Sequence, residues 1–311
     1  MTKNCLVIGD LNIDLVFSRS NKEPRLGGEI LFKDYVLTIG GSGGIFASIL
    51  SKLGGVNTFI ISKIGNDKFG NFLIEELKKF NVNTDLIVLE KNGKTGITVS
   101  LSFKKDKYQF SSLDIFNNLK IKELKVIEIE NLNHVHFASY YVMKSLKDYY
   151  IEIITSIKNK YNDVTFSLDT NDDPESLWGN EIYKIFPYID ILFLNLKEAR
   201  NITRKNNYKD IIEELNKHIK TVVIKLGAEG FVSKSIEGFY SAKAIDNISV
   251  DSTGAGDNFD AGFIYSYLKK LSIEKCLNIA NLCGSKSVEY IGGIGKDKKY
   301  SFIKTEIKKV L

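Results

Sequence analysis

The chain has 311 residues, enough to bury one large core or one core with a small appendage without disulfide or metal staples. Its 43% hydrophobic and 26% charged content is that of a soluble globular protein. Its net charge of +5 comes from dispersed lysines, with four arginines (Arg19, Arg25, Arg200, Arg204) and no basic run suited to nucleic acid.

Cys5, Cys276 and Cys283 lack metal-ligand spacing and read as buried thiols. Met1-Thr2-Lys3-Asn4 does not open a signal peptide, and no apolar run reaches membrane-spanning length, so the expected location is cytoplasmic.

Cys5 to Gly9 is a short apolar strand entering Gly9-Asp10-Leu11-Asn12-Ile13-Asp14. A strand followed by a glycine turn presents its next polar residues at the carboxyl edge of an α/β sheet, where ligands bind. Asn12 and Asp14 suit substrate hydroxyls, the amide donating and accepting and the carboxylate accepting; a surface Asx turn fits the same residues. Leu15 to Phe17 and Ile30 to Val36 read as strands around the polar Ser18 to Arg25. Thr95 to Phe103 alternates, and Tyr108 to Ser112 returns antiparallel across Lys104-Lys105-Asp106-Lys107. These pieces break the βαβ rhythm and predict a small separate sheet.

Gly40-Gly41-Ser42-Gly43-Gly44 leads into an apolar stripe at helical spacing, Ile45 to Leu53, which stops at Gly54-Gly55. Thr58 to Ser62 is a strand, and Asn66 and Asp67 suit the cap of a helix running through Phe80. Strands around Val135 to Ala138, Val164 to Leu168, Ile189 to Leu194 and Val222 to Leu226 then alternate with helical stretches near Asp148 to Lys160 and Asp210 to Lys220. That spacing predicts a mostly parallel sheet covered on both faces. No repeat or Pro-rich linker interrupts it, so one main domain is expected. His134, His136 and His218 form no ligand set and read as core or surface residues.

Val250 to Phe263 carries the chemistry. Asp251 and Asp257 bracket a turn of Thr253, Gly254, Ala255 and Gly256, and an apolar-periodic run follows (Phe259, Phe263, Tyr267, Leu268). A small-residue turn opening a helix aims backbone N–H groups and a partial positive charge at an anion such as a phosphoryl group. Asp257 there either accepts a proton from a hydroxyl attacking phosphorus or stabilises the helix start.

This stretch resembles the Asp-Thr-x-Gly-Ala-Gly-Asp signature of the ribokinase-like (PfkB) family of carbohydrate and nucleoside kinases. Further elements of the family pattern follow in order: the Gly40-Gly41 segment, Ile64 to Gly70, Asp169-Thr170-Asn171 with Leu177-Trp178, Asn195-Leu196-Lys197-Glu198, and Lys225 to Gly230. The resemblance implies an α/β three-layer sandwich with a mostly parallel central sheet. It implies a single ribokinase-like kinase domain over 1–311, with a β-sheet lid from about 12–37 and 93–113 that often pairs subunits into a homodimer.

It also implies ATP and Mg2+, with Asp257 as catalytic base and the Gly254, Ala255 and Gly256 backbone as anion hole. Asn12, Asp14, Gly40, Gly41, Asp169 and Asn171 would meet the substrate. Asn195, Lys225, Gly227 and Gly230 would serve the nucleotide, with Asn281 and Cys283 along the adenine. Glu198 would serve magnesium through water, and Asp251 and Thr253 match a monovalent cation (K+) site of some relatives. The implied partner is a small-molecule sugar or nucleoside, with neither nucleic acid nor membrane.

Two positions depart from the family. Ile45 stands where an Asn is usual, and Asp172 and Asp173 stand where many relatives place Arg, which argues against an acidic sugar. Rival readings are a nucleoside kinase and a non-catalytic ligand sensor of the same fold. A dinucleotide oxidoreductase lacks its Gly-x-Gly-x-x-Gly after the first strand.

Overall fold

The computed structural model describes residues 2–22, 25–103, 107–124, 128–295 and 297–310. Strands β1 (Lys3–Ile8), β2 (Asn12–Phe17) and β3 (Tyr35–Gly40) precede helix α1 (Ser42–Leu53). Then come β4 (Val56–Ile61), β5 (Lys63–Gly65), α2 (Lys68–Lys79), β6 (Val82–Asn83) and β7 (Val88–Glu90). After β8 (Ile97–Ser102), β9 (Lys107–Ser112) and the short α3 (Ile121–Leu124), strand and helix alternate. This part comprises β10 (Leu132–Phe137), α4 (Tyr150–Lys160), β11 (Thr165–Asp169), β12 (Ile191–Asn195), α5 (Leu196–Thr203), α6 (Tyr208–Asn216) and β13 (Thr221–Lys225). A hairpin of β14 (Phe231–Ser235) and β15 (Gly238–Ala242) and the helices α7 (Ala255–Leu268), α8 (Ile273–Ser287) and α9 (Asp297–Val310) follow.

The large sheet has the order β15-β14-β13-β12-β11-β10-β1-β4-β6. Its strands run parallel from β13 to β6, and the β14–β15 hairpin adds an antiparallel edge. Side chains alternate between faces along each strand, and both faces are dry. Leu192, Leu194, Val222 and Ile224 join the core that holds α4, α5 and α6. Cys5, Val7, Phe193 and Val223 join the core that holds α1, α7 and α8. The result is the expected three-layer sandwich. At β1 the order reverses: β4 lies on one side and β10 on the other. The carboxyl ends flanking such a reversal open a crevice.

The smaller sheet has the order β3-β2-β8-β9 and is mixed, because β2 and β8 run parallel while the outer pairs are antiparallel. In the turn expected between β8 and β9, Lys104, Lys105 and Asp106 lie outside the described residues. The strand expected over Ile30 to Val36 begins only at Tyr35. Phe32 instead joins a ring cluster, 5.0 Å from Phe17 and 5.9 Å from Phe103 between centroids, so packing replaces the ladder there. Asp67 caps α2 as expected, accepting Gly70 N–H at 2.8 Å, whereas Asn66 donates its backbone N–H to the Glu90 carbonyl.

Candidate active site

Each predicted site residue can be placed by the strand that carries it. β2 starts at the crevice, and its alternate residues Asn12 and Asp14 share a face, both buried, with Asn12 Nδ2 donating to Asp14 Oδ1 at 3.0 Å. They therefore sit on a strand and not in an Asx turn. Gly40 pairs with Asn12 across the ladder. A Cβ at Gly40 would lie 2.0 Å from Asp14 Oδ1, so the bare backbone leaves room for that carboxylate.

From the end of β1, Asp10 accepts hydrogen bonds from Gly43 N–H (3.0 Å) and the Ser139 hydroxyl (2.7 Å). Gly41, in the left-handed region at φ +79°, packs on the Asp10 carbonyl at the start of α1. Asn171 leaves β11 at φ +57° and donates to Ser139 Oγ (3.1 Å) and Ser42 Oγ (3.3 Å). Ser42 in turn hydrogen-bonds Asp257. Asp10, Ser139, Asn171 and Ser42 thus form one polar group that reaches the base candidate, and the separate Asn12–Asp14 pair lies against the same Gly41 backbone as the Asp10 carbonyl; the sequence reading did not single out Asp10, Ser42 or Ser139. Proximity in sequence to Gly9 and Gly41 was the one available signal for Asp10 and Ser42.

Asp257 sits in the first turn of α7. Gly254 enters the helix at φ +70°, and a Cβ there would fall 2.6 Å from Gly293 Cα, so only glycine fits. Ile45 fills the space beneath, 3.1 Å from the same position. It therefore supports the loop, which is the work found here at the site where relatives carry Asn. Asp251 holds the loop from behind: Oδ1 accepts Thr253 N–H and O–H at 3.1 and 2.8 Å, and Oδ2 accepts Gly292 N–H at 2.8 Å. Of the three expected anion-hole donors, Ala255 gives its N–H to the Ser252 carbonyl at 3.2 Å, because the chain turns tightly before α7. The N–H groups of Gly254 and Gly256 make no hydrogen bond among the described residues. Asp257 keeps part of its surface exposed. Desolvation by its packed surroundings, then repulsion from Asp169, pushes its carboxyl up to about 7.

Beside this turn lies a cavity of about 420 Å³ lined by Lys225, Gly227, Gly256, Phe259, Asn281 and Ser285, among others. Gly230 also borders it, at φ +93°, and a Cβ there would strike the Ala242 carbonyl at 1.9 Å. Asn281 reaches the wall, its amide donating to the Lys243 carbonyl at 2.8 Å. Cys283 does not reach it. The cavity face of α8 carries Asn281, Gly284, Ser285 and Val288, and Cys283 points away to pack on Gly262. Asn195 is also absent from the lining. It is the N-cap of α5, its side chain accepting Glu198 N–H at 2.9 Å while Glu198 accepts from the Asn195 backbone and side-chain amides, a capping box.

Four carboxylates, Asp169, Glu198, Asp257 and Asp260, interact with the Lys225 ammonium. Its Nζ lies 3.2 Å from Asp169 Oδ1 and 2.8 Å from Asp260 Oδ2. Asp169 thus faces Lys225, and Asp260 is a further residue missed, lying one turn beyond Asp257 on α7 and paired across 35 residues of sequence. Burial, then the Asp169 charge, pushes the Glu198 carboxyl up. Such an excess of negative charge fits a site that receives a cation. Among the described residues no three His, Cys, Asp or Glu side chains are placed to hold a metal directly. Both Glu198 oxygens accept protein hydrogen bonds, from Thr170 and from the Asn195 amides. Asp172 pairs with exposed Lys197 at 2.7 Å, and Asp173 accepts the backbone amides of Glu175, Leu177 and Trp178. Both carboxylates are thereby engaged within the protein.

The model of the pfkB family carbohydrate kinases matches residues 2–299. The chain belongs to that family. This kinase is 26% identical to an ATP-dependent 6-phosphofructokinase of Thermoanaerobacterium thermosaccharolyticum, over 93% of this chain and 89% of that one. It is 24% identical to a ribokinase of Lactococcus lactis, over 98% and 97%. Its fold matches a putative ribokinase II of E. coli solved in complex with ATP and Mg2+, with a TM-score of 0.82 at 21% identity, covering 99% of each chain. It is a sugar or nucleoside kinase, an enzyme and not a bare ligand sensor.

Proposed function

We propose that this kinase transfers the terminal phosphoryl group of magnesium-bound ATP to an alcohol group of a sugar or sugar-like substrate. The observation that carries the reading is Asp257. It stands at the mouth of α7 beside the unengaged amides of Gly254 and Gly256, next to Gly256 on the wall of the 420 Å³ cavity, and Ser42 links it to the Asn171 amide. Asn12, Asp14 and Asn171 hold substrate hydroxyls. Asp257, oriented by Ser42, takes the proton of the attacking hydroxyl as the new O–P bond forms and the bond to the ADP oxygen breaks. The two glycine amides and the α7 dipole stabilise the charge on the transferred group. Magnesium, when bound with the nucleotide, neutralises polyphosphate charge, and Glu198 accepts from its waters.

Incubating the protein with ATP and a panel of hexoses, pentoses, inositols and nucleosides tests this. ADP release with a sugar supports it, whereas release with nucleosides alone moves the assignment to a nucleoside kinase.

The Asp251–Thr253 clasp also supports a neighbouring K+ site, and equal rates in potassium and tetramethylammonium salts would remove it. The small sheet acts as a lid that excludes water. Its exposed Tyr35, Tyr108 and Phe110 support pairing of two subunits, which sedimentation reads directly. Three buried thiols, none of them in a disulfide among the described residues, support a cytoplasmic location.

A further inference from the structure

Lys225 and Asp169 stand in separate sequence motifs that do not imply their pairing, and Asp260 completes a buried ion group whose geometry calls for a reason. Lys225 ends β13 and lines the nucleotide cavity, while its Nζ would lie 3.1 Å from a Cβ built on Gly256, one of the two glycines with an unengaged amide. The ammonium is therefore packed against the turn that receives the phosphoryl group. Two carboxylates hold it from behind, Asp260 at 2.8 Å and Asp169 at 3.2 Å, and the Phe193 ring lies 5.8 Å away.

Asp260 is fully buried, and its Oδ1 has no hydrogen-bond partner among the described residues. An arrangement selected for stability alone would not look like this. Buried ion groups cost desolvation that well-packed apolar residues avoid, and leaving one carboxylate oxygen unpaired adds to that cost.

We propose that Lys225 is a catalytic residue that meets the transferred phosphoryl group through its side chain, and that Asp260 is the positioning residue that pins its ammonium beneath the Gly254–Gly256 turn. Asp169, on the longer bond, yields its place to the phosphoryl oxygen, while Asp260 keeps hold. This rests on the kinase reading above and adds to it a side-chain role for Lys225.

The test compares wild type with Lys225→Met, Asp260→Asn and the double variant. One readout is kinetic; the other is equilibrium binding of ADP and of a non-hydrolysable ATP analogue, which needs no turnover. Lys225→Met is expected to lower kcat about 100- to 1,000-fold and Asp260→Asn about 10- to 100-fold, with acceptor KM little changed. Because Asp260 acts through Lys225, the double variant is expected to be no slower than Lys225→Met alone.

In binding, the extra affinity conferred by the third phosphate is expected to fall about 10-fold or more in both single variants, with ADP affinity kept. Multiplying kinetic losses in the double variant, or equal weakening of ADP and the ATP analogue, overturns the proposal. If Asp260→Asn does not fold, Lys225→Met and Lys225→Arg carry the test: the arginine variant is expected to keep part of the third-phosphate increment that methionine loses, and loss of none by methionine overturns the proposal. A wild type that binds neither nucleotide sinks the kinase reading itself, whereas a fully active, tight-binding Lys225→Met sinks this inference alone.

Discussion

In the proposed reaction Asp257 serves as a base among neighbours that resist its ionisation. With the carboxyl pushed up to about 7, kcat/KM is expected to rise with pH through about 7 and level off above it, read from a pH–rate profile. The same shift has a stability consequence. A carboxyl raised above its unfolded value adds stability at low pH that is lost as pH rises through the folded pKa. Asp257→Asn should therefore be more stable than wild type at about pH 8, by on the order of 1–3 kcal/mol in denaturant unfolding, with the gap closing toward about pH 4.

Gly40 offers a second residue-scale prediction. Its alanine variant must displace the Asp14 carboxylate from a 2.0 Å contact, so acceptor KM should rise about 10-fold or more with ATP KM unchanged. Gly254 and Asp257 were legible because a turn and a helix start dictate their types locally, whereas Asp14 and Gly40, which lie in the β2–β3 ladder, were singled out only through the family resemblance. Asp260 was not, since its partner Lys225 lies on another element and no local pattern announces a bond across 35 residues. Cys283 was misplaced for a related reason: one helical step separates the cavity face of α8 from the face packed on α7.

The pairing of α7 with α8 sets the shape of both the Gly254–Gly256 turn and the cavity wall. Gly262 lets the two helices approach, and a Cβ there would meet Cys283 Sγ at 2.8 Å and Ala280 Cα at 3.1 Å. Gly262→Val is expected to cost about 1–3 kcal/mol by overpacking, seen as a lower urea midpoint at unchanged slope. The long, apolar central strands were readable as runs of Val, Ile, Leu and Phe, and the glycines before α1 and α7 marked those helix starts. The β14–β15 hairpin and α9 went unread. Phe231 to Ser235 alternates weakly around a buried serine, and α9 shows its core face mainly through Ile303 and Ile307 in a lysine-rich segment. For both, tertiary packing decides what periodicity leaves open.

Across the whole molecule, the reversal of strand order at β1 gathers residues from Asp10 to Lys225 at one edge of the sheet, and α7 closes over them. Deeper in the same sheet, His134 Nε2 and His136 Nδ1 share the Ser167 hydroxyl at 2.8 Å each. Burial lowers His134 to about 3 and His136 well below its ordinary value. His134 thus contributes stability that is complete above about pH 6.5 and lost as pH falls toward about 3, at up to about 1.4 kcal/mol per pH unit, and His136 acts in the same direction. Their ring-proton NMR signals should hold the neutral-form shift at about pH 5 while the fold persists.

The central claim is that one carboxylate at the mouth of α7 deprotonates the acceptor of a phosphoryl group. It is tested most directly by the initial rate of ADP formation from ATP and an accepted sugar, in wild type and Asp257→Asn. A fall in kcat of at least about 100-fold, with both KM values within a few-fold of wild type, is the expected result. An asparagine variant that phosphorylates the sugar at the wild-type rate would contradict the account.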